Sequence, residues 1–182
     1  MKNVLMIVGS LRKDSINHQL AVQAKEMLDG KAEVSFLEFA DLPYMNQDIE
    51  FPAPENVAKA RQAVLAADGI WIFSPEYNHQ IPGALKNLLD WLSRPLNPGD
   101  HSRNSAAKGK TVTISSVAGN SAGADVRQNL SVLLEVMSMK VIGGAGTGIS
   151  LGSDAFRANQ LTLSEQNKEE LKAQMDLFLA AL

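Results

Sequence analysis

The chain has 182 residues, of which 45% are hydrophobic and 20% are charged, a composition typical of one ordinary globular domain. We therefore predict a single domain over residues 1–182. The net charge of −3 argues against a nucleic-acid-binding surface, because phosphate contacts need clustered Lys and Arg. No apolar run approaches the roughly 18 residues of a membrane span, and without cysteine the chain forms no disulfide or iron–sulfur site. These features predict a cytoplasmic protein with no nucleic-acid or membrane partner.

The first half of the chain alternates predicted strands with predicted helices. The opening run is short, rich in branched apolar residues and stopped by a glycine, a pattern typical of a buried parallel strand. Each later run is again followed by a helix whose apolar residues recur on one face. The predicted elements are strands over residues 4–8, 34–39 and 69–74, with helices beginning near Ile16, Pro54 and Pro82.

The second half continues the alternation with two more strands and two more helices. Strands are predicted at 111–115 and 140–142, and an apolar stripe predicts a helix over 126–137. The last helix ends near the C-terminus and is preceded by Thr162 and Glu165 in capping-box spacing. Segments 41–54 and 95–108 are predicted to be long surface loops. A glycine-rich stretch after the last strand is interpreted as a flexible turn containing Gly143, Gly144, Gly146 and Gly148.

Five strands alternating with five helices predict an α/β fold with helices on both faces of a parallel sheet. The natural wiring for that count is the flavodoxin-like, three-layer, doubly wound sheet with strand order 2-1-3-4-5. Ligands of such sheets bind beyond the carboxyl ends of the strands, where the winding reverses. The expected site therefore lies among the loops after strands 1, 3 and 4, which cover residues 9–17, 74–82 and 115–123.

The loop after strand 1 has the composition of an anion site. It places backbone amides, the hydroxyls of Ser10 and Ser15, and the guanidinium of Arg12 at a helix N-terminus, where a phosphate is stabilised. Alone, the same loop could serve only to cap its helix. It contains neither a Walker-type phosphate loop nor a Gly-x-Gly-x-x-Gly motif, so a nucleoside-triphosphate hydrolase and a dinucleotide Rossmann site are both disfavoured.

The other two loops suit a flat heterocycle. Residues 74–83 combine two prolines, Tyr77 and several hydrogen-bonding groups, so that backbone amides and carbonyls can meet a ring edge. Ser115 and Ser116 are small enough to allow a ring close to the backbone. Each loop alone could also be a simple strand–helix connection. Trp71 lies in a predicted buried strand and is interpreted as core, and the three histidines lack the spacing of a metal site.

Together these loops resemble one known family. The motifs Gly9-Ser-Leu-Arg-Lys-x-Ser-x-Asn17, Pro75-Glu-Tyr-Asn78 followed by Ile81-Pro-Gly-x-Leu-Lys-Asn-x-x-Asp-Trp91, and Ser115-Ser116 are similar to those of the NADPH-dependent FMN reductase family. The resemblance covers about the first 140 residues. It implies noncovalently bound FMN, NAD(P)H as co-substrate, a homodimer or homotetramer, and reduction of quinones, azo compounds, chromate-like acceptors or free flavin.

The resemblance also implies which residues contact FMN. No catalytic side chain is expected, because the flavin accepts the hydride and the protein supplies geometry and electrostatics, in a ping-pong exchange of coenzyme and acceptor. No metal ligand is expected either. Arg12, Ser15 and Asn17 are the implied phosphate partners. The complete implied cofactor-binding set is Ser10, Leu11, Arg12, Lys13, Asp14, Ser15, Ile16, Asn17, Pro75, Glu76, Tyr77, Asn78 and Ser116.

Two alternatives remain open at this stage. A redox-regulatory or scaffold protein that has lost flavin would leave the intact phosphate and ring-edge loops unexplained. The other alternative is a flavodoxin-type electron-transfer protein that binds FMN without nicotinamide activity. The phosphate loop of such proteins is usually built from hydroxyls and amides, so Arg12 counts against it.

Overall fold

The computed structural model describes residues 1–102 and 104–182. Its strands are β1 (Lys2–Val8), β2 (Ala32–Phe36), β3 (Gly69–Phe73), β4 (Thr111–Ala118), β5 (Lys140–Val141) and β6 (Thr147–Ser150). Its α-helices are α1 (Ile16–Met27), α2 (Glu55–Ala66), α3 (Gly83–Leu92), α4 (Ala124–Val136), α5 (Ser153–Ala158) and α6 (Glu165–Ala180).

The sheet is parallel and has the order β2-β1-β3-β4-β5, which confirms the predicted flavodoxin-like fold. β1 is flanked by β2 on one side and β3 on the other, so the winding reverses between these two neighbours. Val8, Phe73 and Ser115 are aligned across the sheet, and β4 then continues to Ala118. The loops after these three strands consequently open at one edge of the sheet.

The strand beside β4 differs from the prediction, because two short strands share that position. β5 pairs with the beginning of β4, and β6 pairs with its end. The expected flexible turn is instead the tight entry to β6, since a Cβ on Gly146 would overlap the Ile114 carbonyl oxygen.

The Arg127 guanidinium holds this entry to β6 in place: it donates to the carbonyls of Ala145 and Gly146 at 3.0 and 2.8 Å. Burial lowers the pKa of Arg127, and nearby Glu76 opposes that shift.

The core forms two layers because strand side chains alternate between the two faces of the sheet. Val4 and Met6 pack under α1 and α6, whereas Leu5 and Ile7 pack under α2, α3 and α4. β3 is buried along its whole length. Trp71 is fully buried, stacks on Phe73 and donates from Nε1 to the Ser115 hydroxyl at 3.0 Å, so its assignment to the core is confirmed.

Gln174 of α6 fills the gap between β5 and β6. On the side away from β3, β4 has no strand partner at Thr113 and Ile114, and buried backbone groups need hydrogen bonds. Gln174 Nε2 donates to the Ile114 carbonyl at 2.6 Å and to the Thr113 hydroxyl at 2.7 Å, and its Oε1 accepts from Ser115 at 2.9 Å. One buried side chain thus closes the interrupted edge of the sheet.

Three other expectations were tested by the structure. The segment 41–54 is irregular apart from a single 3-10 turn, and its Pro43 carbonyl accepts from Trp91 Nε1 at 2.8 Å. The predicted loop 95–108 also lacks helix and strand among its described residues, with Arg103 outside them. The capping box was misplaced, because Ser164 rather than Thr162 caps α6, accepting from the Asn167 N–H at 3.1 Å. Within the described residues, no helix is both long and apolar enough to cross a membrane.

We predict that Gln174→Leu lowers the free energy of unfolding by about 2 to 4 kcal/mol, because it leaves a buried carbonyl and two buried hydroxyls short of partners. Urea unfolding measures this change. Gln166→Leu is the matched control, since Gln166 is exposed on the same helix, and a shift of less than about 0.5 kcal/mol is expected there. Equal stability of the two variants would show that the network contributes nothing.

Candidate functional site

The loops after β1, β3 and β4 enclose a cleft, here called the central cleft, with a volume of about 220 Å³. Its position matches the crevice at which doubly wound sheets bind ligands. It is lined by Ser10, Arg12, Ser15, Ile16, Asn17, Pro75, Glu76, Tyr77, Val117, Ala118, Gly119, Leu151 and Phe156.

The N-terminus of α1 forms the polar end of the central cleft. Ser15 is the N-cap and its hydroxyl accepts from the His18 N–H at 3.3 Å, while the N–H groups of Ile16 and Asn17 have no acceptor within the helix. Ser10 Oγ accepts from the Arg12 N–H at 3.3 Å. Arg12 is exposed and forms no salt bridge among the described residues. The cleft therefore offers an unpaired guanidinium beside the positive end of a helix.

Asn17 has a different role from the one the resemblance implies for its side chain. Its Nδ2 donates to the Val117 carbonyl, and its Oδ1 accepts from the Val117 N–H, both at 2.9 Å. Asn17 is buried, and these bonds occupy its amide. The side chain thus fixes α1 to the end of β4, and the backbone N–H of Asn17 remains without an acceptor within the helix.

Glu76 joins the loop after β3 to the helix after β4. Its carboxylate accepts from the Ser121 hydroxyl at 2.7 Å and from the Val126 N–H, in the first turn of α4, at 3.0 Å. Negative charge at a helix N-terminus is stabilising. The Glu76 side chain therefore links the loop after β3 to the segment after β4.

His79 has two carboxylate neighbours that its position in the sequence did not predict. Its Nδ1 lies 2.6 Å from Asp125 Oδ2 and 3.8 Å from Glu76 Oε1. The ligand atoms of these three residues lie within 4.8 Å of one another, a spacing that a metal ion could bridge. However, Glu76 already accepts two hydrogen bonds and His79 bonds to Asp125, so protein groups satisfy these atoms.

Ser116 lies behind the cleft rather than in its lining. It is completely buried, and its hydroxyl donates to the Ser74 carbonyl at 2.6 Å. Gly123 has a φ of +67°, and a Cβ there would overlap Ser116 Oγ. Ser116 and Gly123 consequently hold the loops after β3 and β4 close together.

The segment after β6 supplies cleft residues that the sequence analysis missed. Leu151 and Phe156 both line the central cleft, and the Phe156 side chain remains 63% exposed. Asn159 Nδ2 donates to the Asp14 carbonyl at 2.9 Å, which fixes the end of α5 to the loop after β1. The sequence signal was weak because α5 has only six residues and lacks an apolar stripe.

The structure brings eight of the implied residues into the central cleft and places five elsewhere. Leu11 and Lys13 line a neighbouring cleft, Asp14 is exposed, and Asn78 is exposed with a left-handed φ of 53°. Ser116 is the buried residue behind the lining. The eight cleft residues are Ser10, Arg12, Ser15, Ile16, Asn17, Pro75, Glu76 and Tyr77.

Comparison with known proteins identifies the family. Residues 2–154 match the sequence profile of the NADPH-dependent FMN reductases. A quinone reductase of Pseudomonas putida is 35% identical over 170 residues, which cover 88% of this chain and 86% of that protein. A 2-hydroxy-1,4-benzoquinone reductase of a Burkholderia species is 41% identical over 92 residues, so the match spans 50% of each chain.

A solved structure shares both the fold and the overall length. FerB of Paracoccus denitrificans, a flavoenzyme NAD(P)H:acceptor oxidoreductase, superimposes with a TM-score of 0.85 at 29% identity, covering 99% of this chain and 96% of that one. The profile match, the full-length relative and the cleft at the reversal point agree. The chain therefore belongs to the NADPH-dependent FMN reductase family and is an NAD(P)H-dependent oxidoreductase with FMN as its cofactor.

Proposed function

We propose that the central cleft binds FMN and that the enzyme reduces quinones at the expense of NAD(P)H. The observation that carries this proposal is that one cleft contains both an unpaired guanidinium at a helix N-terminus and apolar walls. The phosphate would contact Arg12, the Ser15 hydroxyl and the first amides of α1. The ring would lie between the segment 75–77 and the segment 117–119.

The cleft residues fit these two parts of FMN. A phosphate monoester carries nearly two negative charges at neutral pH, which suits a cation beside a helix N-terminus. Val117, Ala118 and Leu151 give the remaining wall an apolar surface, and Tyr77, with its side chain 50% exposed, provides an aromatic face for a flat ring. Bound FMN supplies a two-electron acceptor for hydride, a chemistry that no side chain of the chain provides.

The protein's own residues position and shield the reactants. Among the described residues that line the cleft, Glu76 is the one carboxylate; its Oε1 accepts a hydrogen bond from the Ser121 hydroxyl and its Oε2 accepts one from the Val126 N–H. It therefore holds the loops in place and does not act as a proton carrier. Phe156 and Tyr77 narrow the cleft with apolar surface, which reduces the access of water to the reactive face.

Quinones are proposed as acceptors because two relatives carry that activity in their names. The relatives are the quinone reductase of Pseudomonas putida and the 2-hydroxy-1,4-benzoquinone reductase of Burkholderia. A planar quinone also suits the aromatic and apolar lining of the central cleft. We propose that the nicotinamide ring and the quinone occupy this cleft in turn.

We further propose a homodimer or homotetramer located in the cytoplasm. Val132 and Val136 lie one turn apart on α4 and are 53% and 68% exposed, an apolar face that a second copy would cover. The lack of cysteine is compatible with a reducing compartment.

We predict that Arg12→Ala weakens FMN binding by about ten- to a hundredfold, because charge-assisted hydrogen bonds to a phosphate are worth roughly 1.5 to 3 kcal/mol. Fluorescence titration of the apoprotein with FMN measures the change. Riboflavin lacks the phosphate, so its affinity should remain within about twofold of the wild type.

Arg12→Lys provides the matched variant. A lysine restores the charge without the planar fork of the guanidinium, so it should recover only part of the lost FMN affinity. If FMN and riboflavin weaken equally in Arg12→Ala, the arginine maintains the shape of the loop and does not bind phosphate. An unchanged FMN affinity would assign the phosphate to another site.

A second prediction concerns the order of the two substrates. If they share the central cleft, initial rates with varied NADPH and several fixed quinone concentrations should give parallel double-reciprocal lines. The oxidised coenzyme should compete with the quinone. Intersecting lines would show that both substrates bind together, and the proposal that they share one cleft would then be wrong.

A further inference from the structure

A second cleft, here called the outer cleft, lies on the opposite side of the loop after β1 and has a volume of about 310 Å³. One wall is formed by Ser10, Arg12 and Lys13 of that loop. The other wall is formed by the end of β2 and the residues after it, including Phe36 and Glu38. Ser10 and Arg12 line both the outer and the central cleft, so the two clefts are neighbours.

The polar groups of the outer cleft are free to meet a ligand. Lys13 and Glu38 are exposed, and neither forms a salt bridge among the residues described. His18 of α1 also lines this cleft and packs its ring against Phe36 with centroids 5.4 Å apart. The cleft thus combines an ammonium group, a carboxylate and an aromatic surface.

The charged and aromatic groups of the outer cleft lie between the end of β2 and the loop after β1. A carboxylate accepts a hydrogen bond from a ribose hydroxyl, and a neighbouring ammonium group pairs with a phosphate, so this lining suits a ribose that carries either group. Glu38 is the second residue after the end of β2 and lines the outer cleft together with residues of the loop after β1. The phosphate-binding turn itself is assigned to FMN above, so the outer cleft remains available for a different ligand.

We propose that the outer cleft binds the adenosine ribose of the nicotinamide coenzyme, and that Glu38 and Lys13 set the preference between NADH and NADPH. Glu38 would accept from the 2′-hydroxyl of NADH and repel a 2′-phosphate, whereas Lys13 would attract that phosphate. This inference rests on the proposed function, since the nicotinamide end must reach the central cleft. The wall shared by the two clefts gives the dinucleotide a short path between them.

Two substitutions of opposite sign test the proposal. The measured quantity is kcat/KM for NADPH divided by kcat/KM for NADH in the FMN-loaded enzyme. Lys13→Gln should lower this ratio about tenfold, and Glu38→Gln should raise it about tenfold, as expected for one charged contact. Any effect on FMN itself cancels in the ratio, because both coenzymes reduce the same enzyme.

Matched controls carry the same chemical changes at the opposite edge of the sheet. Lys140→Gln and Glu135→Gln replace exposed residues at the start of β5 and the end of α4. Both should leave the ratio within about twofold of the wild type. A shift in these controls as large as that in the outer-cleft variants would reduce the effect to general surface charge and overturn the proposal.

A binding measurement separates this inference from the proposed function. Calorimetric titration of the FMN-loaded enzyme with 2′,5′-ADP should show binding that Lys13→Gln weakens about tenfold and Glu38→Gln strengthens. Equal binding to all variants, or none to the wild type, would overturn the outer-cleft assignment while flavin reduction continued. Failure of both coenzymes to reduce the wild-type flavin would instead overturn the proposed function.

Discussion

β4 extends past the end of its neighbour β3, and the site depends on which groups form hydrogen bonds with the backbone of this extension. Beyond Ser115 the N–H and C=O of Val117 have no partner in β3, although they are buried in the sheet edge. On that side Asn17 supplies both hydrogen bonds from the first turn of α1, and on the other side β6 continues the sheet. An unmade buried hydrogen bond is costly, so this requirement fixes the position of the α1 N-terminus. The helix end that is proposed to bind the FMN phosphate is therefore placed by the sheet before any ligand binds.

Three side-chain contacts extend this arrangement to the whole cleft. Asn17 fixes α1 to β4, Glu76 fixes the loop after β3 to α4, and Asn159 fixes the end of α5 to the loop after β1. Each contact joins segments that are distant in sequence, and none is needed to form a helix or strand. A binding site whose loops are already ordered loses less conformational entropy when a ligand binds. Asn17 and Glu76, which the family resemblance implies as cofactor contacts, thus also hold the segments of the cleft in position.

The sequence predicted the sheet order and the three loops because these depend on patterns within short windows. An apolar run that stops at Gly9 predicted β1, an apolar run that begins at Gly69 predicted β3, and the apolar stripe of α3 was equally clear. β6 and α5 were missed since four residues and six residues are too short to show a period. The roles of Asn17 and Ser116 were not predictable, because their partners Val117 and Ser74 are set by the fold. Local patterns identified which loops form the site, whereas side-chain direction required the tertiary contacts.

The shared wall between the two clefts places Arg12 in a position to connect their ligands. Its guanidinium has no protein carboxylate to hold it among the described residues, so its position will follow the strongest nearby anion. A phosphate in the central cleft would draw the arginine away from the outer cleft and leave Lys13 as the main cation there. Any such effect must be reciprocal, because two ligands coupled through one residue change each other's affinity by the same factor. Under these two proposals, occupancy of the central cleft would set which cations remain in the outer cleft, and coenzyme preference would be a property of the FMN-loaded enzyme.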